Sequence, residues 1–168
     1  DIMISYKRNN VCCFADRLSD KIHTIYDEST VGITCSGDTL LFYIDHVSDV
    51  GDIFTPIYMD KTYSYPMRLG DAISTECTES ACSISSDGTI MLFSSNREAS
   101  MGEFDLFMIR RIGPNSWSDP VNLGPEINTE LSEDYPTLSP DGKTLYFCSN
   151  GHPGMGGFDL YFVGIGRF

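Results

Sequence analysis

Ser139-Pro140-Asp141-Gly142-Lys143-Thr144-Leu145-Tyr146-Phe147 places a proline–acid–glycine turn directly before a run of aliphatic and aromatic residues. Ser85-Ser86-Asp87-Gly88-Thr89-Ile90-Met91-Leu92-Phe93 repeats that arrangement, and Thr34-Cys35-Ser36-Gly37-Asp38-Thr39-Leu40-Leu41-Phe42 repeats it in a more worn form. An Asp-aliphatic-aromatic triplet follows each copy: Asp52-Ile53-Phe54, Asp105-Leu106-Phe107 and Asp159-Leu160-Tyr161.

The period is kept by unrelated residues. Asp1, Asp52, Asp105 and Asp159 lie 51, 53 and 54 apart, while Glu28, Glu79 and Glu133 keep intervals of 51 and 54, as do Leu18, Leu69 and Leu123. A repeat near fifty residues, built of short strands and tight turns, is the signature of propeller blades. Asp141-Gly142 and Asp87-Gly88 suit a type I turn closed by a glycine bulge, so each copy reads as a hairpin. The apolar run after the turn lacks clean alternation, as in strands covered on both faces. The fold class expected is therefore all-β, a β-propeller of four-stranded antiparallel blades with about three blades present. The register divides the chain into the end of a preceding blade (1–27), two blades (28–76 and 77–130) and an incomplete blade (131–168). Thirteen strands are expected, with a strand C near 1–7 and a strand D near 11–18, which reads as a segment of a larger propeller.

A formal charge of −13 excludes a basic footprint for nucleic acid and an electrostatic hold on anionic lipid. No run of 18 apolar residues is present, so direct membrane insertion by this segment is not expected. The six cysteines make no zinc-type Cys-x-x-Cys pair. A single bridge between Cys77 and Cys82 is the one pairing their spacing leaves open.

The repeated carboxylates are the candidate site residues. Asp52, Asp105 and Asp159 are expected to be structural, accepting backbone N–H bonds from the loop between the second and third strands of a blade, B and C (Thr144 to Cys148 and Phe158 to Val163 in the last), because one ligand site would not need every copy. The turn residues Asp87, Asp141, Gly88 and Gly142 are read as structural in the same way. Glu28, Glu79 and Glu133, with Asp134, precede the innermost strand of each blade. They are the candidate binding rim, ringing one mouth of the channel. No catalytic residues are assigned: the histidines His23, His46 and His152 fall at unrelated places in the repeat, and no nucleophile elbow is present. No metal or cofactor is expected, calcium being the weak alternative, since no Asp-x-Asp-x-Asp-Gly loop occurs.

Glu133 to Phe147, followed by Gly156-Gly157-Phe158-Asp159-Leu160-Tyr161, resembles the TolB-type, WD-like β-propeller repeat. Trp117-Ser118-Asp119-Pro120-Val121-Asn122-Leu123-Gly124 through Ile127-Asn128-Thr129 looks like the version found in Bacteroidota envelope proteins, including PorE-type lipoproteins that carry an OmpA-like domain. That resemblance implies a non-enzymatic scaffold for protein contacts in the periplasm, associated with the outer membrane, with envelope proteins as partners and a link to type IX secretion or gliding. The alternative is a carbohydrate-binding or glycan-hydrolysing propeller that uses the carboxylates at the channel mouth.

Overall fold

The computed structural model describes residues 1–45, 51–113 and 116–166, without the side chains of positions 30 and 31. Regular structure among these residues is entirely β. Three antiparallel meanders follow one another along the chain. The first joins Asp27–Ile33, Leu40–Asp45, Asp52–Thr55 and Met67–Arg68 in sequence order. The second joins Glu79–Ile84, Ile90–Ser95 and Asp105–Gly113, whose far edge pairs with both Ser116–Trp117 and Val121–Asn122. The third contains Glu133–Leu138, Thr144–Ser149 and Asp159–Gly164. These sheets are the blades expected from the repeat, and each begins at or one residue before a repeated glutamate.

The blades stack face to face, which explains the uninterrupted apolar runs. Leu41 and Ile53 of the first sheet meet Met91, Phe93, Phe107 and Ile109 of the second. Leu92, Leu106 and Met108, pointing the other way from the same second sheet, meet Leu145 and Phe147 of the third. Strand Ile90–Ser95 thus buries both of its faces. Each fully buried large side chain contributes about 1.5–3 kcal/mol, so the interfaces between blades carry most of the apolar burial. The outer face of the third sheet has no such cover. Tyr146, Leu160 and Phe162 are 41%, 73% and 75% exposed, whereas Leu92, Leu106 and Met108, one repeat earlier, are 0%, 0% and 9% exposed.

The first strands of successive sheets approach one another, as the innermost strands of a propeller do. Gly32 shows how closely: a Cβ there would stand 3.1 Å from the Ile84 backbone nitrogen. Each innermost strand is bulged within a residue of the same repeat position, between Ser29 and Gly32, Glu79 and Cys82, and Asp134 and Thr137.

The amino-terminal part is less regular than expected. Strand C of the preceding blade is only Met3–Ile4, paired with Asp16–Arg17. The segment 7–12 forms its own hairpin, Lys7–Arg8 with Val11–Cys12, and the first blade repeats it as Tyr58–Met59 with Thr62–Tyr63. Asn9-Asn10 and Asp60-Lys61 turn these hairpins with positive φ at both positions, the conformation of a type I′ turn. Two residues suffice for each arm because the turn's twist matches that of the strands. The Cys77–Cys82 bridge that the spacing left open is not made: the six cysteines are thiols. Cys82 is buried, which pushes its pKa up to about 12.

Candidate functional site

The repeated glutamates do not form an exposed rim. Glu79 and Glu133 are fully buried, and Glu28 is nearly so. Glu79 accepts hydrogen bonds from the Thr75 amide at 2.9 Å, the Thr75 hydroxyl at 3.0 Å and the Ser95 hydroxyl at 2.9 Å, and it pairs with Arg97 at 3.1 Å. Glu133 repeats the pattern with the Thr129 amide at 2.7 Å, the Thr129 hydroxyl at 2.9 Å and Ser149 at 2.6 Å. Glu28 takes the amide and the hydroxyl of Thr24. Each glutamate therefore staples the connection from the previous blade onto the start of its own innermost strand. Charge-assisted bonds of this kind are the strong class, and an unsatisfied buried carboxylate would be very costly. The signal for this role lies in the sequence: Thr24, Thr75 and Thr129 stand four residues before the three glutamates. Buried at the base of the blades, this triplet does not form the exposed rim expected at a channel mouth.

The repeated aspartates are also internal fasteners. Asp105 accepts the Met101 and Gly102 amides at 2.8 and 3.1 Å and the Asn122 side chain at 2.6 Å. Asp159 accepts the Met155 amide at 2.8 Å. Both use the loop between strands B and C. Asp52 is held differently, by Arg68 at 2.8 Å, and residues 46–50 of its loop, with His46, lie outside the described residues. Asn122, Arg68 and Arg17 occupy one repeat position on the outer strands, so each ties its outer strand to an aspartate.

In the turns, Gly88 and Gly142 have φ of 73° and 67°, a conformation that costs any residue with a Cβ. The Ser85 and Ser139 hydroxyls donate at 2.6 Å to Asp87 and Asp141. The first copy lost the acid before its glycine but gained Asp38 after it, which accepts from Thr34 at 2.8 Å. Hydrogen bonds, those from the neighbouring hydroxyls first, hold Asp38, Asp87 and Asp141 below the usual carboxylate range.

Asp134 remains from the expected rim, and the structure gives it a different setting. It lies on the innermost strand of the third blade and reaches across to the second. Ser80 donates to it at 3.0 Å, Ser94 donates to it as well, and the Tyr135 amide donates at 2.8 Å. Ser94 also stands 2.7 Å from Ser80 and accepts the Ala81 amide at 3.1 Å. Tyr43 of the first blade is nearby: burial, then Asp45, Asp134 and Tyr135, push its pKa up to about 12. Burial and Asp134 likewise push up the Cys148 thiol.

These residues are related by the repeat. Ser29, Ser80 and Asp134 occupy one position, directly after the stapled glutamates. Tyr43 and Cys148 pair with Ser29 and Asp134 across the sheet, and Ser94, at the same repeat position, meets Ser80 through its hydroxyl. The threonine–glutamate staple stays the same from blade to blade, while this axial pair of positions changes its chemistry in every copy. Tyr135 projects from the same place, 58% exposed and in the left-handed region with φ 54°. The resulting face combines a phenol, hydroxyls, a thiol and one carboxylate. It offers hydrogen-bond donors and acceptors of graded strength.

A cavity of about 320 Å³ opens between the first and second blades, lined by Asp38, Leu41, Met67, Arg68, Arg111 and Trp117 among others. The Arg111 guanidinium lies over the Trp117 ring at 4.8 Å.

No family model matches the chain, and no curated protein matches it. Solved structures do. The TolB crystal structure from Acinetobacter baumannii superposes over 97% of this chain with a TM-score of 0.55 at 13% identity. The putative TolB from Agrobacterium tumefaciens superposes over the same share with a TM-score of 0.62 at 15% identity. The chain spans 38% of the first and 57% of the second. At these identities the likeness is one of fold: this is a TolB-like β-propeller architecture.

Proposed function

We propose that this chain is part of a larger β-propeller that serves as a non-enzymatic scaffold for protein–protein contacts in a bacterial envelope. The carrying observation is the division of labour within the repeat. Glu28, Glu79, Glu133, Asp52, Asp105 and Asp159 are engaged inside the blades, while chemistry that varies from blade to blade gathers on the axial face around Asp134 and Tyr135. A surface on which each blade offers a different polar group, over a rigid disc, suits recognition of a macromolecule. The glycan alternative is weakened, since three of the four carboxylates it required are buried and two of them, Glu79 and Glu133, are saturated. The TolB-like fold and the envelope-type stretch Trp117 to Thr129 support a periplasmic setting. An outer-membrane complex of the type IX secretion kind is the finer form of the same reading.

The test is site-specific photocrosslinking in the native host. A photoreactive residue at Tyr135 of the full-length protein should give one discrete adduct with an envelope protein. The same residue at Ile112, 70% exposed on the blade edge, should not. An adduct pattern identical at the two positions, or no adduct at Tyr135, would overturn the assignment of the axial face.

A further inference from the structure

The first repeat departs from the other two where its own fastening is incomplete. Glu79 and Glu133 each receive a serine hydroxyl from the opposing strand. The residue opposite Glu28 is Ile44, which has nothing to donate. Thr24 occupies Oε1 of Glu28, so Oε2 is left without a hydrogen bond on a side chain that is 0% exposed. In this same repeat the residue before the threonine changes to histidine: His23 stands where Ser74 and Asn128 stand in the others. Its side chain is only 7% exposed, and neither ring nitrogen makes a hydrogen bond.

The three side chains converge. His23 Nδ1 lies 3.0 Å from Asp1 Oδ1 and 4.0 Å from Glu28 Oε2, and one ligand atom from each falls within 4.8 Å of the other two. The Asp1 nitrogen stands 3.7 Å from Oε2, outside hydrogen-bonding distance. The far oxygens are anchored, Asp1 Oδ2 by Arg17 at 3.2 Å and Glu28 Oε1 by Thr24. Each carboxylate therefore has one oxygen fixed by the protein and one directed at the imidazole. Outer partners that orient ligands in this way are characteristic of metal sites.

We propose that Asp1, His23 and Glu28 bind a divalent transition ion of the zinc class. One imidazole with two carboxylate oxygens suits zinc, cobalt or nickel, where calcium and magnesium prefer oxygen alone. Three protein ligands leave a fourth position for water, and the exposed side of Asp1 gives the ion its entry. The ion supplies to Glu28 what Ser95 and Ser149 supply to its counterparts. It would pin the strand at Met3–Ile4 to the innermost strand of the first blade.

Titration of the chain with Co²⁺ and Zn²⁺ tests this. One ion should bind per chain, the Co²⁺ complex should show d–d bands without thiolate charge transfer, and the melting temperature should rise on binding. His23→Asn, which installs the residue of the third repeat, should stay folded by circular dichroism and lose binding at least tenfold. Glu28→Gln should lose it likewise. Absence of binding by the unaltered chain, unchanged binding by His23→Asn, or a thiolate band from Cys12 or Cys13 would each overturn the site.

Discussion

At the scale of single residues, the main lesson concerns Glu28, Glu79 and Glu133. Their periodicity was legible in the sequence, but their role was not. A carboxylate before an innermost strand looks like a channel rim until its donors are seen. Those donors come from two directions, Thr75 from the preceding connection and Ser95 from the neighbouring strand, and only the folded sheet brings them together. The copies differ in one respect that can be measured. Glu79 has a buried cationic partner in Arg97, which also stacks over Phe93 and Phe107 at 4.9 and 5.1 Å. Gly151 takes the place of that arginine beside Glu133. Glu79→Gln strands a buried guanidinium and should cost about 3–5 kcal/mol. Glu133→Gln weakens hydrogen bonds only and should cost about 1–3 kcal/mol. Urea unfolding midpoints of the two variants give the comparison, and equal losses would show that Arg97 does not depend on Glu79.

At the scale of elements, the strand after the Asp141-Gly142 turn was readable within a residue, Thr144 to Cys148 against Thr144–Ser149, because an unbroken apolar run bounded by a turn leaves little freedom of assignment. The hairpins between strands C and D were missed. Their arms are two residues long, too short for any periodicity, and Asn9-Asn10 and Asp60-Lys61 lack the glycine that normally marks such a turn. The third sheet makes its own prediction. Tyr146, Leu160 and Phe162 occupy the positions that in the second sheet are sealed by the next blade. If a further blade seals them in the full-length protein, Leu160→Ser with Phe162→Ser should lower its unfolding free energy by several kcal/mol, since burying each side chain is worth about 1.5–3 kcal/mol. The same pair introduced into residues 1–168 alone should leave stability nearly unchanged and improve solubility. Equal effects in the two proteins would argue against a blade on that face.

At the scale of the whole molecule, three turn aspartates and a charge of −13 shape the response to acid. Asp38, Asp87 and Asp141 are held below their usual pKa by hydrogen bonds, the largest from a neighbouring serine hydroxyl in each case. A depressed folded-state pKa stabilises the protein above the unfolded value, near 3.9, and the contribution disappears as pH falls through the lower folded value. Stability carried by these turns should therefore be level above about pH 5 and decline below about pH 4. Thermal melts from pH 7 to pH 3 should show Asp87→Asn together with Asp141→Asn flattening that decline. An unchanged acid limb would place the titration elsewhere. Overall architecture was the most legible property of this sequence, because a period held by many residues averages out local ambiguity. The axial face was the least legible, since it is defined by residues that break the repeat.

The hairpin turns are linked across blades as well as within them. The Cys35 amide donates to the Ser86 carbonyl at 3.1 Å, and the Ser86 hydroxyl donates to the Pro140 carbonyl at 3.2 Å. The three donors and acceptors share one repeat position, so these bonds form a belt in which every turn gives to the next and the direction never reverses. At the third blade the belt meets a proline, which can receive but has no N–H to pass on. The belt therefore has a built-in terminus. Up to Pro140 the turns resist sliding of one blade past another; at that position a further blade would find a carbonyl already in use and no main-chain donor.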